Sequence, residues 1–244
     1  MTRYWEKGCG MSWFDKLELQ QNEYKAMIFS TYFSKQAEKP SGLYGRFFMS
    51  RIFDKGNFEL NNFVRETLAI KKSDHILEIG CGTGSILKHI ANELENGSIE
   101  GIDFSKTMIS LAKKKNKKHV LKKKAIIRHG NFDELQFENN SYDKIFSVNT
   151  IYFWESPVST TSKAIDLLKA NGMMVLGFHS KDEMERMDLD ENIFQLYSPQ
   201  DVINLLKTDK RLKEVEIISK KGQNKINYCA VGIKRNHGVK SSQL

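Results

Sequence analysis

Ile76-Leu77-Glu78-Ile79-Gly80-Cys81-Gly82-Thr83-Gly84 decides the fold. An apolar run enters three glycines at every second position, and a helical pattern follows from Ser85 to about Glu95. A strand, a glycine turn and a helix make the first unit of a doubly wound sheet, in which ligands bind beyond the carboxyl ends of the strands. Glycine there leaves no Cβ between backbone and ligand. The spacing is G-x-G-x-G, not the G-x-G-x-x-G that cradles a pyrophosphate. Glu78 stands just before the first glycine, where a carboxylate repels phosphate and suits a cation. Downstream, Gly101-Ile102-Asp103-Phe104-Ser105 ends a second apolar run. A carboxylate at that position can accept both hydroxyls of a ribose.

Outward from the turn, strands and helices alternate. Strands are expected at His75 to Ile79, Ser98 to Ile102, Ala125 to Arg128, Tyr142 to Val148 and Met173 to Phe178. Ser105 is placed to cap a helix that runs through the following lysines. Pro157 to Leu168 reads as a helix with Asn171-Gly172 as its stop, and another helix starts near Pro199 and runs to about Leu206. Glu214 to Ile218 and Tyr228 to Ile233 close the pattern as an antiparallel edge hairpin. Such alternation predicts an α/β fold, an open and mostly parallel sheet with helices on both faces. Upstream lies a helical extension, broken at Lys39-Pro40-Ser41-Gly42 and resumed over Tyr44 to Phe53, with a third helix to about Ala69. The expected division is an extension or lid over 1–60, a ligand-binding domain over 61–235 and a disordered tail over 236–244.

The 244 residues include 40% hydrophobic and 28% charged side chains, ordinary for a globular protein. No apolar run approaches the ~18 residues of a membrane span. No secretory signal is visible at the start, and three cysteines without CxxC spacing support neither a disulfide framework nor a zinc site. A cytoplasmic protein is expected. The net charge of +8 is local: Lys113 to Lys124 holds eight lysines and no acid. That run suits RNA or anionic lipid. It also suits a plain solvated helix end, and the lack of arginine and of interleaved aromatics favours the plainer account.

A ribonucleoside without a polyphosphate and with a cationic end describes S-adenosylmethionine. On these residues the sequence resembles the class I S-adenosylmethionine-dependent methyltransferases, within the small-molecule group that includes the ubiquinone and menaquinone methyltransferases. Gly130-Asn131-Phe132 is similar to the family segment beside adenine, with Asn131 where an Asp is common. Ser141 to Asn149 resembles the family's fourth strand. Leu167-Leu168-Lys169-Ala170-Asn171-Gly172 resembles its L-K-P-G-G turn, with Ala170 and Asn171 replacing Pro and Gly. The resemblance implies a Rossmann-like seven-stranded sheet whose last strand is antiparallel, and in-line methyl transfer to a small molecule with S-adenosylhomocysteine as product. It implies cofactor contacts at Glu78, Gly80, Cys81, Gly82 and Gly84. Further contacts follow at Asp103, Phe104, Met108, Asn131, Phe132 and Asn149.

The acceptor side is expected after the fourth strand, at Asn149-Thr150-Ile151-Tyr152-Phe153-Trp154. Asn149 and Tyr152 have N-x-x-Y spacing, which resembles the motif of amino-methylating DNA enzymes without its two prolines. Asn149, Tyr152 and His179 are the catalytic candidates. Tyr44, Gly45, Phe48, Asn57, Tyr152 and Trp154 are the acceptor or lid candidates. No metal-ligand spacing is present. An RNA-binding or RNA-methylating protein and a non-catalytic adenosylmethionine binder remain as alternatives, and the chain is expected to act as a monomer or homodimer.

Overall fold

A computed structural model describes residues 30–42, 54–187 and 189–236. Helix α1 covers residues 30–38, and α2 is Phe58–Thr67. Strand β1 (His75–Ile79) leads through the glycine turn into α3 (Ser85–Glu93) and then β2 (Ser98–Asp103). Helices α4 (Lys106–Lys115) and α5 (Lys117–Leu121) precede β3 (Ala125–His129). After β4 (Tyr142–Val148) come α6 (Pro157–Leu167) and β5 (Leu168–Phe178). The chain then forms α7 (Lys181–Met184), α8 (Pro199–Thr208), β6 (Leu212–Lys221) and β7 (Ile226–Lys234).

The seven strands lie in the order β3-β2-β1-β4-β5-β7-β6. β1 pairs in parallel with β2 and β4, and β5 continues the parallel run. β7 is antiparallel to both β5 and β6. The expected sheet, with its antiparallel last strand, is therefore present. Between β1 and β4 the winding changes direction, which opens a crevice at the strand ends.

Alternate residues of the strands feed two apolar cores. Leu77 and Ile79 of β1 pack with α6 and α8 on one face. Ile76 packs with α2, α3 and α4 on the other. Burial on both faces explains why β1 and β4 are so apolar. α2 runs through residue 60, where the extension was expected to end, and buries Leu60 and Val64 against the sheet.

Two boundaries depart from the sequence reading. The lysine-rich helix is not continuous. Asn116 is fully buried, and its side-chain Nδ2 donates to Gly84 O and Ala112 O, both at 3.0 Å, so the helix stops there and α5 starts afresh. Likewise Asn171-Gly172 is not a helix stop. α6 already ends at Leu167, and β5 begins at Leu168 with its register to β4 irregular between Tyr142 and Lys144. Asn171 sits at φ +58° inside that strand, where it bends the chain.

Buried lysines close two helix ends. Lys144 is 7% exposed and donates to Leu68 O and to Ala69 O (3.1 Å), the carbonyls that end α2, with Asp74 at 3.5 Å. Lys234 does the same below α6, reaching Leu168 O at 2.6 Å. A cation at a helix C-terminus satisfies orphan carbonyls and opposes the helix dipole. Lys144→Met is expected to destabilise the protein by about 3 kcal/mol, because it strands Asp74 without its buried counter-charge. A lowered urea midpoint with unchanged slope is the measurement that checks it.

Candidate functional site

At the carboxyl ends of β1 to β5 lies a cavity of about 910 Å³. Its first wall is the glycine turn. Gly80, Gly82 and Gly84 all have positive φ, at +75°, +49° and +71°. A Cβ on Gly80 would strike Thr150 Cγ2 at 2.3 Å, so that glycine lets β4's loop close in. A Cβ on Gly82 would meet nothing within 4 Å, so the space beside it is cavity. Gly84 differs: it does not line the cavity, and its missing Cβ makes room for Asn116 Nδ2 (2.6 Å) and Ala112. It is a packing glycine at the start of α3.

Two carboxylates meet under this turn. Asp103 accepts from Gly82 N at 2.9 Å and from Ser105 N at 2.8 Å, so it holds the turn and the entry to α4 together. Ser105 also caps α4, as its position in the sequence suggested, by accepting from Met108 N. Burial pushes the Asp103 carboxyl up, and the two backbone donors oppose that shift. Glu78 is 2% exposed, and its Oε2 has no hydrogen-bond partner among the described residues. Burial, with Asp103 close by, pushes its carboxyl well above the ordinary range. Cys81 is buried between them, and burial first, then these acids, raises its thiol, so it is an inert wall and not a nucleophile.

Phe104 and Met108 line the next side, with the Lys39 ammonium 5.5 Å from the Phe104 ring centroid. Phe132 is a buried wall and Asn131 an exposed rim residue whose Oδ1 accepts from Asp133 N. Asn149 sits at φ +54°, and its Nδ2 donates to Asn57 Oδ1 at 2.9 Å. Thus two residues far apart in sequence meet on the cavity wall. Tyr152 is fully packed: its hydroxyl accepts from His179 N at 2.8 Å and faces His179 O and Asn149 Oδ1. Burial pushes that phenol up, and its hydrogen bonds to the His179 backbone and the Asn149 side chain brace the ends of β4 and β5.

Beyond them stands an apolar end. Tyr152, Phe153, Trp154, Met184 and Phe194 line it, and the Phe153 and Phe194 rings meet edge to face at 4.7 Å. His179 borders the same end, 3% exposed, with both ring nitrogens unpartnered among the described residues. Burial, assisted by the Lys225 charge and opposed by the nearby Ile226 backbone, lowers its pKa to about 4, so the imidazole is neutral at physiological pH.

Several lining residues escaped the sequence reading. Asp54 accepts from Ser85 Oγ at 2.7 Å and from Lys115 Nζ at 2.8 Å, and Thr83 Oγ1 joins the same cluster. This network, with Asp54 held below the ordinary carboxylate range despite its partial burial, ties Asp54 to the glycine turn. Met184 and Phe194 come from a connection that carried no readable pattern. Tyr44, Gly45 and Phe48 lie outside the described residues. Among the described residues no group of acids, histidines and cysteines could hold a metal ion.

Comparison with known proteins bears on this geometry. A family model described as a methyltransferase domain matches residues 70–227, from just before β1 into β7. The chain belongs to that family. Its residues 70–227 form a methyltransferase domain. The methyltransferase is 33% identical over 79 residues to a demethylmenaquinone methyltransferase of Alkalihalophilus pseudofirmus, covering 32% of this chain and 33% of that one. It is 33% identical over 114 residues to a malonyl-[acyl-carrier protein] O-methyltransferase of Priestia megaterium, covering 47% and 38% respectively. The methyltransferase thus spans less than half the length of these two relatives. A solved S-adenosylmethionine-dependent methyltransferase from Aquifex aeolicus shares its fold, with TM-score 0.62 and 20% identity over 75% of this chain and 95% of that one. No helix among the described residues is long and apolar enough to cross a membrane.

Proposed function

We propose that this methyltransferase moves the methyl group of S-adenosylmethionine to a small-molecule acceptor with an apolar, ring-bearing body. One observation carries the reading: a single cavity joins the unpartnered Glu78 oxygen at one end to the unpartnered His179 ring and its aromatic wall at the other.

The residues present fit the cofactor. The open space beside Gly82 admits a ligand against the backbone, and the orphaned Glu78 carboxyl supplies the charge that a cationic ligand lacks in a buried site. When bound, the cofactor supplies an activated methyl group with a neutral leaving group. Asp103 would take the ribose hydroxyls, Phe132 and Asn131 the adenine, and Glu78 the positive end. Gly80, Cys81, Phe104 and Met108 would supply shape. Asn149 and Asn57 would fix the junction between the two ligands, with Tyr152 bracing them. With Tyr152, Phe153, Trp154 and Phe194 presenting apolar surface to the acceptor, orientation would be the chief contribution of the protein, worth up to ~7–11 kcal/mol in well-aligned systems. Placed beside the acceptor, the neutral imidazole of His179 would receive its proton. The buried free cysteines Cys81 and Cys229 agree with a cytoplasmic setting.

Calorimetric titration with S-adenosylmethionine, S-adenosylhomocysteine and NADH, run in parallel, tests the cofactor. Binding of the first two without NADH supports the reading, and binding of NADH alone overturns it. His179→Phe is expected to lower kcat by about 10²-fold or more while leaving cofactor affinity unchanged. An unaltered kcat would assign the acceptor to groups that arrive already nucleophilic, such as an amine or thiolate.

A further inference from the structure

The chain carries no acid from Phe104 to Phe132. The structure sorts the eight lysines of its central run. Lys115 is spent on Asp54 beside the cavity, and Lys124 on Leu94 O at the end of α3. The other six are exposed and make no ion pair or side-chain hydrogen bond among the described residues: Lys113, Lys114, Lys117, Lys118, Lys122 and Lys123. Lys117 and Lys118 lie in α5 itself, and the other four flank it on both sides. From the last turn of that helix Leu121 projects 74% exposed, the most exposed large apolar side chain among the described residues, next to Val120 at 39%. Lys88 of α3 faces the same helix: together with Lys118, Lys122 and Lys124 it adds to the burial that depresses His119. The acids nearest in α3 and its connection are occupied, Glu93 by Arg65 and Glu95 by Lys72.

Six exposed lysines with no paired acid among the described residues, beside an exposed leucine, are more than a soluble helix end requires. Lysine serves there as a point charge. Nucleic-acid surfaces add arginine forks and aromatic platforms, both missing from this run, and have no use for an exposed leucine. A bilayer surface uses both elements, charge for the anionic head groups and a buried apolar side chain for anchoring. We infer that α5 and its flanking lysines form a docking surface for an anionic lipid membrane, with Leu121 inserted among the head groups. The occupant matches the patch in sign and in polarity, and none of the six lysines or Leu121 lines the cavity, so the docking is separable from methyl transfer.

The test is co-sedimentation of the full chain with vesicles of phosphatidylglycerol and phosphatidylethanolamine, against vesicles of phosphatidylcholine and against polyuridylate RNA at equal salt. Binding to the anionic vesicles alone is expected. Each lysine near the surface is worth about fivefold in partitioning, so Lys117→Gln, Lys118→Gln and Lys122→Gln together should lower it by about 100-fold. Leu121→Ser should lower it by about tenfold and leave the salt dependence unchanged. The exposed positions keep the fold intact, which unchanged melting would verify. Failure to bind anionic vesicles overturns the inference, as does retention on RNA with no lipid binding. Binding that both sets of variants leave unaltered overturns it too.

Discussion

Glu78→Gln should melt at a higher temperature than the natural protein when no ligand is present, and should bind S-adenosylmethionine at least tenfold more weakly. Both effects have one origin. The carboxyl is buried against Asp103, and one of its oxygens has no partner, so the folded chain resists its ionisation. A group whose pKa is raised on folding contributes most at low pH. Its contribution is fully present below the ordinary glutamate range and is lost as pH climbs through the raised value. Removing the ionisable group recovers that loss, at ~2–4 °C of melting temperature per kcal/mol for a chain of this size. The ligand reverses the balance. Sulfonium and ammonium against one carboxylate leave a net positive ligand, which favours the ionised Glu78. Affinity should therefore rise with pH across the window in which ligand-free stability falls, and binding should release protons. Titration in two buffers of different ionisation enthalpy detects that release. An unchanged affinity in Glu78→Gln would remove this residue from the cofactor end.

Asp103→Ala is expected to reduce cofactor affinity by about 10²-fold or more, since hydrogen bonds to a charged group contribute ~1.5–3 kcal/mol each. Sequence alone suggests a clean loss of binding in an otherwise folded chain. The structure adds a second loss, because the carboxylate also receives the amides of Gly82 and Ser105. Two buried donors without acceptors cost ~1–3 kcal/mol each. Asp103→Asn preserves part of this pairing and separates the two roles: it should keep most of the stability and still lose much of the affinity. Calorimetry alongside thermal melting reads both. Wild-type affinity in a folded Asp103→Ala chain would count against the ribose assignment.

The alternation of strands and helices was legible because each β–α unit is local in sequence and its apolar period is strong. So were the glycine turn and the Ser105 cap, each of which is made within a few residues; that Asp103 also holds the Gly82 amide, 21 residues away, was not legible. What escaped depends on distant partners. Asn116 breaks the lysine helix because Gly84 O, 32 residues away, accepts its side chain. Lys115 looks like one more surface charge until Asp54, 61 residues away, is placed beside it. Gly84 looks like the third glycine of a ligand motif, yet helix packing is what needs it bare. The apolar end of the cavity was half visible in Tyr152, Phe153 and Trp154. Its other half, at Met184 and Phe194, lies in a connection with no periodicity to betray it.

That connection also says something about how such a protein can change. Met184 and Phe194, from the stretch between β5 and α8, line the cavity and are at the same time buried members of one of the two cores, together with Tyr152 and Trp154. The other core, under α2, α3 and α4, contains no residue of that stretch. A lineage that reshapes this end of the cavity must therefore repack part of what keeps the chain folded, so that a change of ligand and a loss of stability are inherited together.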